Sequence, residues 1–359
     1  MPLITDKAQI RIMINGVETA LGKNVSTFLN TEGYTVYAPT LAELDISNIE
    51  ELAFYNNSQQ DTTLIVINCE NHYDSSKYTE TEFVDRYKNL VTYGLWNGAK
   101  FIHFSTDQVF DGQSAYLKTD ARNPLTSLGS VHAQVEEFIA SGYAADNNFL
   151  ILRTSWLHSY DETTTSDFEL NLAKQIKTLA EGQSTLDVPS NIQGRPSIVE
   201  HLVPEAMRLV FEDHYGVQHL GSRDVCSLSD FASDILSGSG VVVNSFAVSG
   251  SGFITDNPII GDHNIDNVGV TLEYPAHTNL VGWASQSACF KLKSLGGIPS
   301  FYDLLYPMED FMHVDFQNAP DKKQWLLDIA TAGTVLSYFD NQSDYDRDLA
   351  IVDYMFPAV

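Results

Sequence analysis

The feature that most constrains this chain is the order of its first 155 residues, in which short runs rich in β-branched side chains alternate with stretches of helical period. "QIRIMING" (residues 9–16) is an apolar run ending in glycine, and "ALGKNVSTFLNTEG" (20–33) continues with an amphipathic period, with Gly33 placed as its C-cap. "YTVYA" (34–38) predicts a second strand, and "TTLIVINC" (62–69) a third, apolar enough for burial on both faces. A helix through "FVDRYKNLVTYGLW" (83–96), a strand "AKFIHFST" (99–106), a helix "SVHAQVEEFIASG" (130–142) and a strand "NFLILRTS" (148–155) follow. That order predicts an α/β fold with a doubly wound parallel sheet and right-handed crossovers.

Beyond Trp156 the alternation loosens. Helices are predicted over 167–182 and 197–214, and the Gly/Ser-rich "SGSGVVVNSFAVSGSG" (237–252) reads as a turn-rich connection. The expected organisation is a Rossmann-like domain over 1–160, a smaller α/β substrate-type domain over 161–307 interleaved with it, and a C-terminal extension over 308–359. The extension carries Phe311, Phe316, Trp325, Tyr338, Phe339, Tyr354 and Phe356, more apolar surface than a solvated tail needs, which points to an interface or to wrapping of its own domain.

Charge narrows the partners. Acidic residues outnumber basic ones 47 to 20, a net charge of -27, so the long-range field disfavours nucleic acid and anionic lipid. Cys69, Cys226 and Cys289 stand singly, without CxxC pairing or histidines at ligand spacing, so neither a disulfide framework nor a metal site is expected. No signal peptide or membrane span is read from the sequence, and the expected location is the cytoplasm or a soluble assembly such as a virion.

The motifs "STDQVFDG" (105–112), "NPLTSLGSVHAQVEE" (123–137), "LRTSW" (152–156), "NIQGRPS" (191–197) and "HLGSRDVCSLSDFA" (219–232) come in a fixed order. With them the chain resembles the dTDP-4-dehydrorhamnose reductase family, a branch of the extended short-chain dehydrogenases, over about its first 300 residues. The resemblance implies a nucleotide-binding Rossmann domain plus a small sugar-nucleotide domain. It also implies a tyrosine that protonates the developing alkoxide, a lysine four residues on that lowers its pKa and holds the nicotinamide ribose, and a threonine on the carbonyl.

Several positions depart from that pattern. Ser105 and Thr106 match the family, but Leu128 stands at the tyrosine and His132 at the lysine. A leucine has no proton to donate, and losing a positioned general acid forfeits roughly 10²- to 10⁴-fold in rate. The pyrophosphate turn "INGVETALGKN" keeps Gly16 and Gly22 but has Thr19 at the middle glycine, so it reads equally as a strand-to-helix turn with no ligand. No acid or arginine stands at the expected ribose clamp: Leu41 occupies a position where the family commonly has arginine, and Asp45 reads as a turn carboxylate or a ligand contact. Glu70 follows the third strand, where a carboxylate facing a pyrophosphate would repel it, and Trp283 replaces an arginine that would face the substrate phosphates. Tyr116, His103 and Tyr160 are candidates for a relocated acid.

These departures predict a retained fold without its reaction, serving as a structural or regulatory subunit among other protein subunits, with no cofactor. The regulatory β subunit of methionine adenosyltransferase, which resembles these reductases and acts by binding a partner, is a precedent in kind. The rival expectation is an active NAD(P)H-dependent reductase or epimerase of a nucleotide sugar. Gly16, Thr19, Gly22 and Ser105 would then line the cofactor, and Thr106, Leu128 and His132 are the vestigial catalytic positions.

Overall fold

The computed structural model describes residues 7–54, 63–70, 77–111, 115–159, 185–188, 193–211, 214–221 and 226–239, together with residues 176, 180, 245–247 and 271–272. The chain opens β1 (Ile10–Asn15), α1 (Ala20–Thr31), β2 (Thr35–Tyr37), α2 (Ile49–Phe54), β3 (Thr63–Asn68), α3 (Glu80–Trp96) and β4 (Lys100–Thr106). It continues with α4 (Ser127–Gly142), β5 (Phe149–Thr154), α5 (Val199–Phe211), β6 (Gly216–His219) and α6 (Leu228–Ser239). The six strands form one sheet in the order β6-β5-β4-β3-β1-β2, and every neighbouring pair is parallel. The order reverses between β1 and β3, which is where a doubly wound sheet opens a crevice for ligands.

The period of two along each strand divides the core between the two faces of the sheet. Ile12, Ile14, Ile65, Ile67, Ile102, Phe104, Leu150 and Leu152 pack with Leu21, Val25 and Leu29 of α1 and Leu202, Val203 and Ala206 of α5. Met13, Leu64, Val66, Phe101, Phe149 and Ile151 pack with Phe83, Tyr87 and Leu90 of α3 and Val131, Val135 and Ile139 of α4. Burial on both sides explains why β3, β4 and β5 read as continuous apolar runs.

Local chemistry sets the helix ends. Thr79 and Glu82 form a capping box at the start of α3. Gly33, at φ 81°, follows the last turn of α1, and its amide donates to the Asn30 carbonyl.

The strand β6 and the helix α5 come from 161–307, the span expected to interleave with the first domain; β6 pairs with β5, and α5 packs against the sheet and α1. Two features differ from expectation. Within the segment read as a turn-rich connection, Ser237–Ser239 still belong to α6, and Ser245–Ala247 form a strand parallel to Thr185–Asp187. The short helix α2 was not anticipated. Of the helix expected over 167–182 only residues 176 and 180 are described, and the extension over 308–359, with Tyr160 and Trp283, lies outside the described residues. Among the described residues no helix is long and apolar enough to cross a membrane, and no group of three or more His, Cys, Asp or Glu could hold a metal ion.

Candidate functional site

The crevice is built on the carboxyl ends of β1, β3 and β4. Gly16, at φ 83°, turns the chain out of β1, and a side chain on it would strike the Glu70 backbone. Gly22 lies so close to the Gly16 carbonyl that a Cβ there would overlap it, which is how the first turn of α1 comes against the end of β1. Thr19 is the N-cap of α1, and its φ of -82° is ordinary. Its hydroxyl donates to the Gly16 carbonyl at 2.8 Å and accepts from the Gly22 amide at 3.0 Å. The side chain is therefore folded back on its own turn.

Glu70 does not carry an isolated charge into the crevice. Its carboxylate meets Arg86 Nη1 at 3.3 Å and accepts from Asn15 Nδ2 at 3.2 Å. Arg86 is buried, with its guanidinium 4.4 Å from the centre of the Tyr78 ring, and burial opposed by the Glu70 charge leaves its pKa raised. Two observations thus remove obstacles that the sequence suggested for a dinucleotide: Thr19 is folded away and Glu70 is neutralised. The glycine turn fits such a group: Gly16 and Gly22 make the close turn, and the start of α1 would face the pyrophosphate of a bound dinucleotide.

Across the α3/α4 face runs a buried polar row. Asn15, Asn68 and His103 lie in register on β1, β3 and β4. The Asn68 Oδ1 accepts from Asn15 Nδ2 at 2.8 Å and from the Glu70 amide at 3.3 Å, which turns its amide nitrogen toward His103 Nδ1 at 3.1 Å. His103 Nδ1 is then an acceptor, and its Nε2-H donates to His132 Nδ1 at 3.1 Å. Both imidazoles have no exposed surface, and burial followed by the His132 charge holds the His103 pKa well below the ordinary value.

His132, which stands at the lysine position, is part of this row. Its side chain points into the sheet, joined to His103, with the Tyr87 ring 6.3 Å away. Leu128, in the first turn of α4, is half-buried. A Cβ on the adjacent Gly129 would overlap the Gln108 carbonyl, so α4 docks tightly on the turn that follows β4.

A second polar cluster joins α4 to β4 and β5. Glu136 accepts from Ser105 Oγ at 2.6 Å and receives Arg153 through Nε at 3.0 Å and Nη2 at 2.7 Å, with Arg122 Nη1 at 3.3 Å. Ser105, proposed to line the cofactor, thus spends its hydroxyl on α4. Thr106 sits at the end of β4, where its hydroxyl accepts from the Gln108 amide at 3.3 Å and lies 3.2 Å from Asp107 Oδ1. Asp107 is 5% exposed, and burial raises its carboxyl to about 6 against the opposing hydrogen bonds from Ser155 and Thr106.

The relocated acids fare unevenly. The Tyr116 hydroxyl is bonded to Asp111 with its ring stacked on Phe110, and His103 is committed to the first row. Asp45 accepts from the amide and hydroxyl of Ser47 at 2.9 and 2.7 Å, which makes it a turn carboxylate. The sequence reading passed over Glu18, whose Oε2 accepts from the Leu41 amide at 3.1 Å. It was missed because a ribose acid is sought beyond β2, and only the fold brings residue 18 to residue 41.

Residues 10–250 match the family described as the RmlD substrate binding domain, more than half of the chain. The chain belongs to that family. Its relatives include the spore coat polysaccharide biosynthesis protein SpsK of Bacillus subtilis, 27% identical over 64% of this chain and 80% of that protein. The dTDP-4-dehydrorhamnose reductase of Escherichia coli is 30% identical over 38% of this chain, and the match spans 44% of that enzyme. Among solved structures, a dTDP-4-dehydrorhamnose reductase from Clostridium acetobutylicum is 25% identical, with a TM-score of 0.57 over 67% of this chain and 84% of that one. One from Bacillus anthracis, in complex with NADP, shares the fold with a TM-score of 0.60 over 74% of this chain and 90% of its own, at 23% identity.

Proposed function

We propose that this member of the dTDP-sugar reductase-like family does not carry out the tyrosine-lysine reduction, and that it serves as a structural or regulatory subunit of a larger protein assembly. The observation that carries the reading is His132. A lysine at that place would reach the nicotinamide ribose, whereas the His132 imidazole is buried and bonded to His103. With Leu128 at the other position, neither the tyrosine hydroxyl nor the lysine cation of the family's pair is kept. The acidic surface and the aromatic extension over 308–359 support association with other protein subunits rather than with polyanions.

A reduced nicotinamide, when bound, supplies a hydride. The residues of this chain that would hold it are Gly16, Gly22 and the start of α1, so binding and turnover are separable here. The test is to mix the purified protein with NADH or NADPH and a dTDP-4-keto-6-deoxy sugar, follow loss of reduced nicotinamide, and measure the native mass. The expected result is no oxidation above the protein-free rate and a particle larger than one chain. Protein-dependent oxidation, or a monomer that retains no partner under native conditions, would overturn the reading.

A second reading, an active NAD(P)H-dependent reductase or epimerase of a nucleotide sugar, is favoured by one observation besides the names of the relatives. Asp107, with its carboxyl raised to about 6, accepts from the Thr106 hydroxyl at 3.2 Å, and under this reading the pair would be the proton source of the site. Under that reading D107N abolishes turnover while leaving cofactor binding unchanged.

A further inference from the structure

We infer that the crevice discriminates between the two nicotinamide dinucleotides in favour of NAD(H), and that Glu18 is the residue that does so. The inference rests on the crevice being able to hold a dinucleotide, which the folded-back Thr19 and the neutralised Glu70 allow.

In a doubly wound fold the adenosine ribose lies between the glycine turn after β1 and the segment after β2. Glu18 belongs to that turn, two positions after Gly16, and its carboxylate reaches the Leu41 amide in the segment after β2. It therefore bridges the two walls between which the ribose would sit. The side chain is exposed, and the Leu41 amide is its single hydrogen-bond partner among the described residues, with no ion pair. A carboxylate offers about four acceptor positions, so most remain for the two hydroxyls of a ribose.

The same charge acts against a 2′-phosphate. A site that takes the phosphorylated ribose places an arginine there, whereas this chain has the uncharged Leu41, whose backbone amide is already given to Glu18. Like charges a few ångströms apart at surface dielectric differ from a neutral pair by enough to cost roughly tenfold or more in affinity. The Bacillus anthracis reductase solved with NADP shares this fold, so the selection belongs to the side chain and not to the architecture.

The test is direct titration of NADH and NADPH, by nicotinamide fluorescence and by calorimetry, on the full chain and on E18Q and E18R. E18Q keeps an acceptor for the Leu41 amide and removes the charge, so it serves as the folded control. The expected result is NADH binding at least about tenfold more tightly than NADPH, with the ratio near one in E18Q and reversed in E18R. Equal binding, tighter NADPH binding, an unchanged ratio in E18Q, or no binding of either dinucleotide at millimolar concentration would overturn the inference. Oxidation of bound NADH by a dTDP-4-keto-6-deoxy sugar would overturn the proposed loss of reduction while leaving the preference for NAD(H) standing.

Discussion

Asp107 is where burial changes the chemistry of a single residue most clearly. Its carboxyl rises from the ordinary 3.8 to about 6 because little water reaches it, and the Ser155 and Thr106 hydrogen bonds offset only part of that cost. The folded protein therefore holds this proton up to about pH 6, and the unfolded chain releases it near 3.8. Between those values the folded state binds more protons, so the contribution of Asp107 to stability is full below about pH 4 and is lost as pH rises through 6. D107N removes that loss. Its gain over the parent, measured by denaturant unfolding, is expected to be close to zero at pH 4 and to approach about 3 kcal/mol at pH 7. A gain that does not change with pH would show that the carboxyl is not held in its neutral form.

The helix α4 is held to the sheet by ions as well as by Val131, Val135 and Ile139. Glu136 is fully buried and takes both a bidentate Arg153 from β5 and the Ser105 hydroxyl from β4. Removing one partner of such a pair leaves the other charge uncompensated, so E136A is expected to cost about 3–5 kcal/mol in urea unfolding. A loss below 1 kcal/mol would mean that water solvates Arg153 in the variant. At this scale much of the fold was legible in the sequence, because β3, β4 and β5 are buried on both faces and cannot avoid reading as apolar runs. The strand β6 was not, since Gly216, Val217 and Gln218 are only half-buried at the edge of the sheet and "GVQH" carries no strong pattern. The candidate site divides in the same way. Gly16 and Gly22 are spaced along the chain and could be read, whereas the pairings of Glu18 with Leu41, Glu70 with Arg86 and His103 with His132 exist only between elements.

Over the whole molecule the excess of acid has its own effect. A net charge of -27 on 359 residues repels itself in the compact state, and the repulsion reaches farther when salt is scarce. The screening length falls from roughly 30 Å at 0.01 M to roughly 8 Å at 0.15 M salt. The melting temperature is therefore expected to rise by a few degrees between those conditions in calorimetry, and a flat response would mean that the acids are already balanced by local cations. The row from Asn15 to His132 adds a different constraint, because each group in it donates a hydrogen bond to the next in one direction. A lysine set at position 132 and extended toward the crevice would leave the buried Nε2-H of His103 without its acceptor. His103 would then have to change as well, and Asn68 would lose the partner that its own orientation serves. The row thus works as a ratchet: a return to the tyrosine and lysine of a reductase is closed to single substitutions and requires several neighbours to change together.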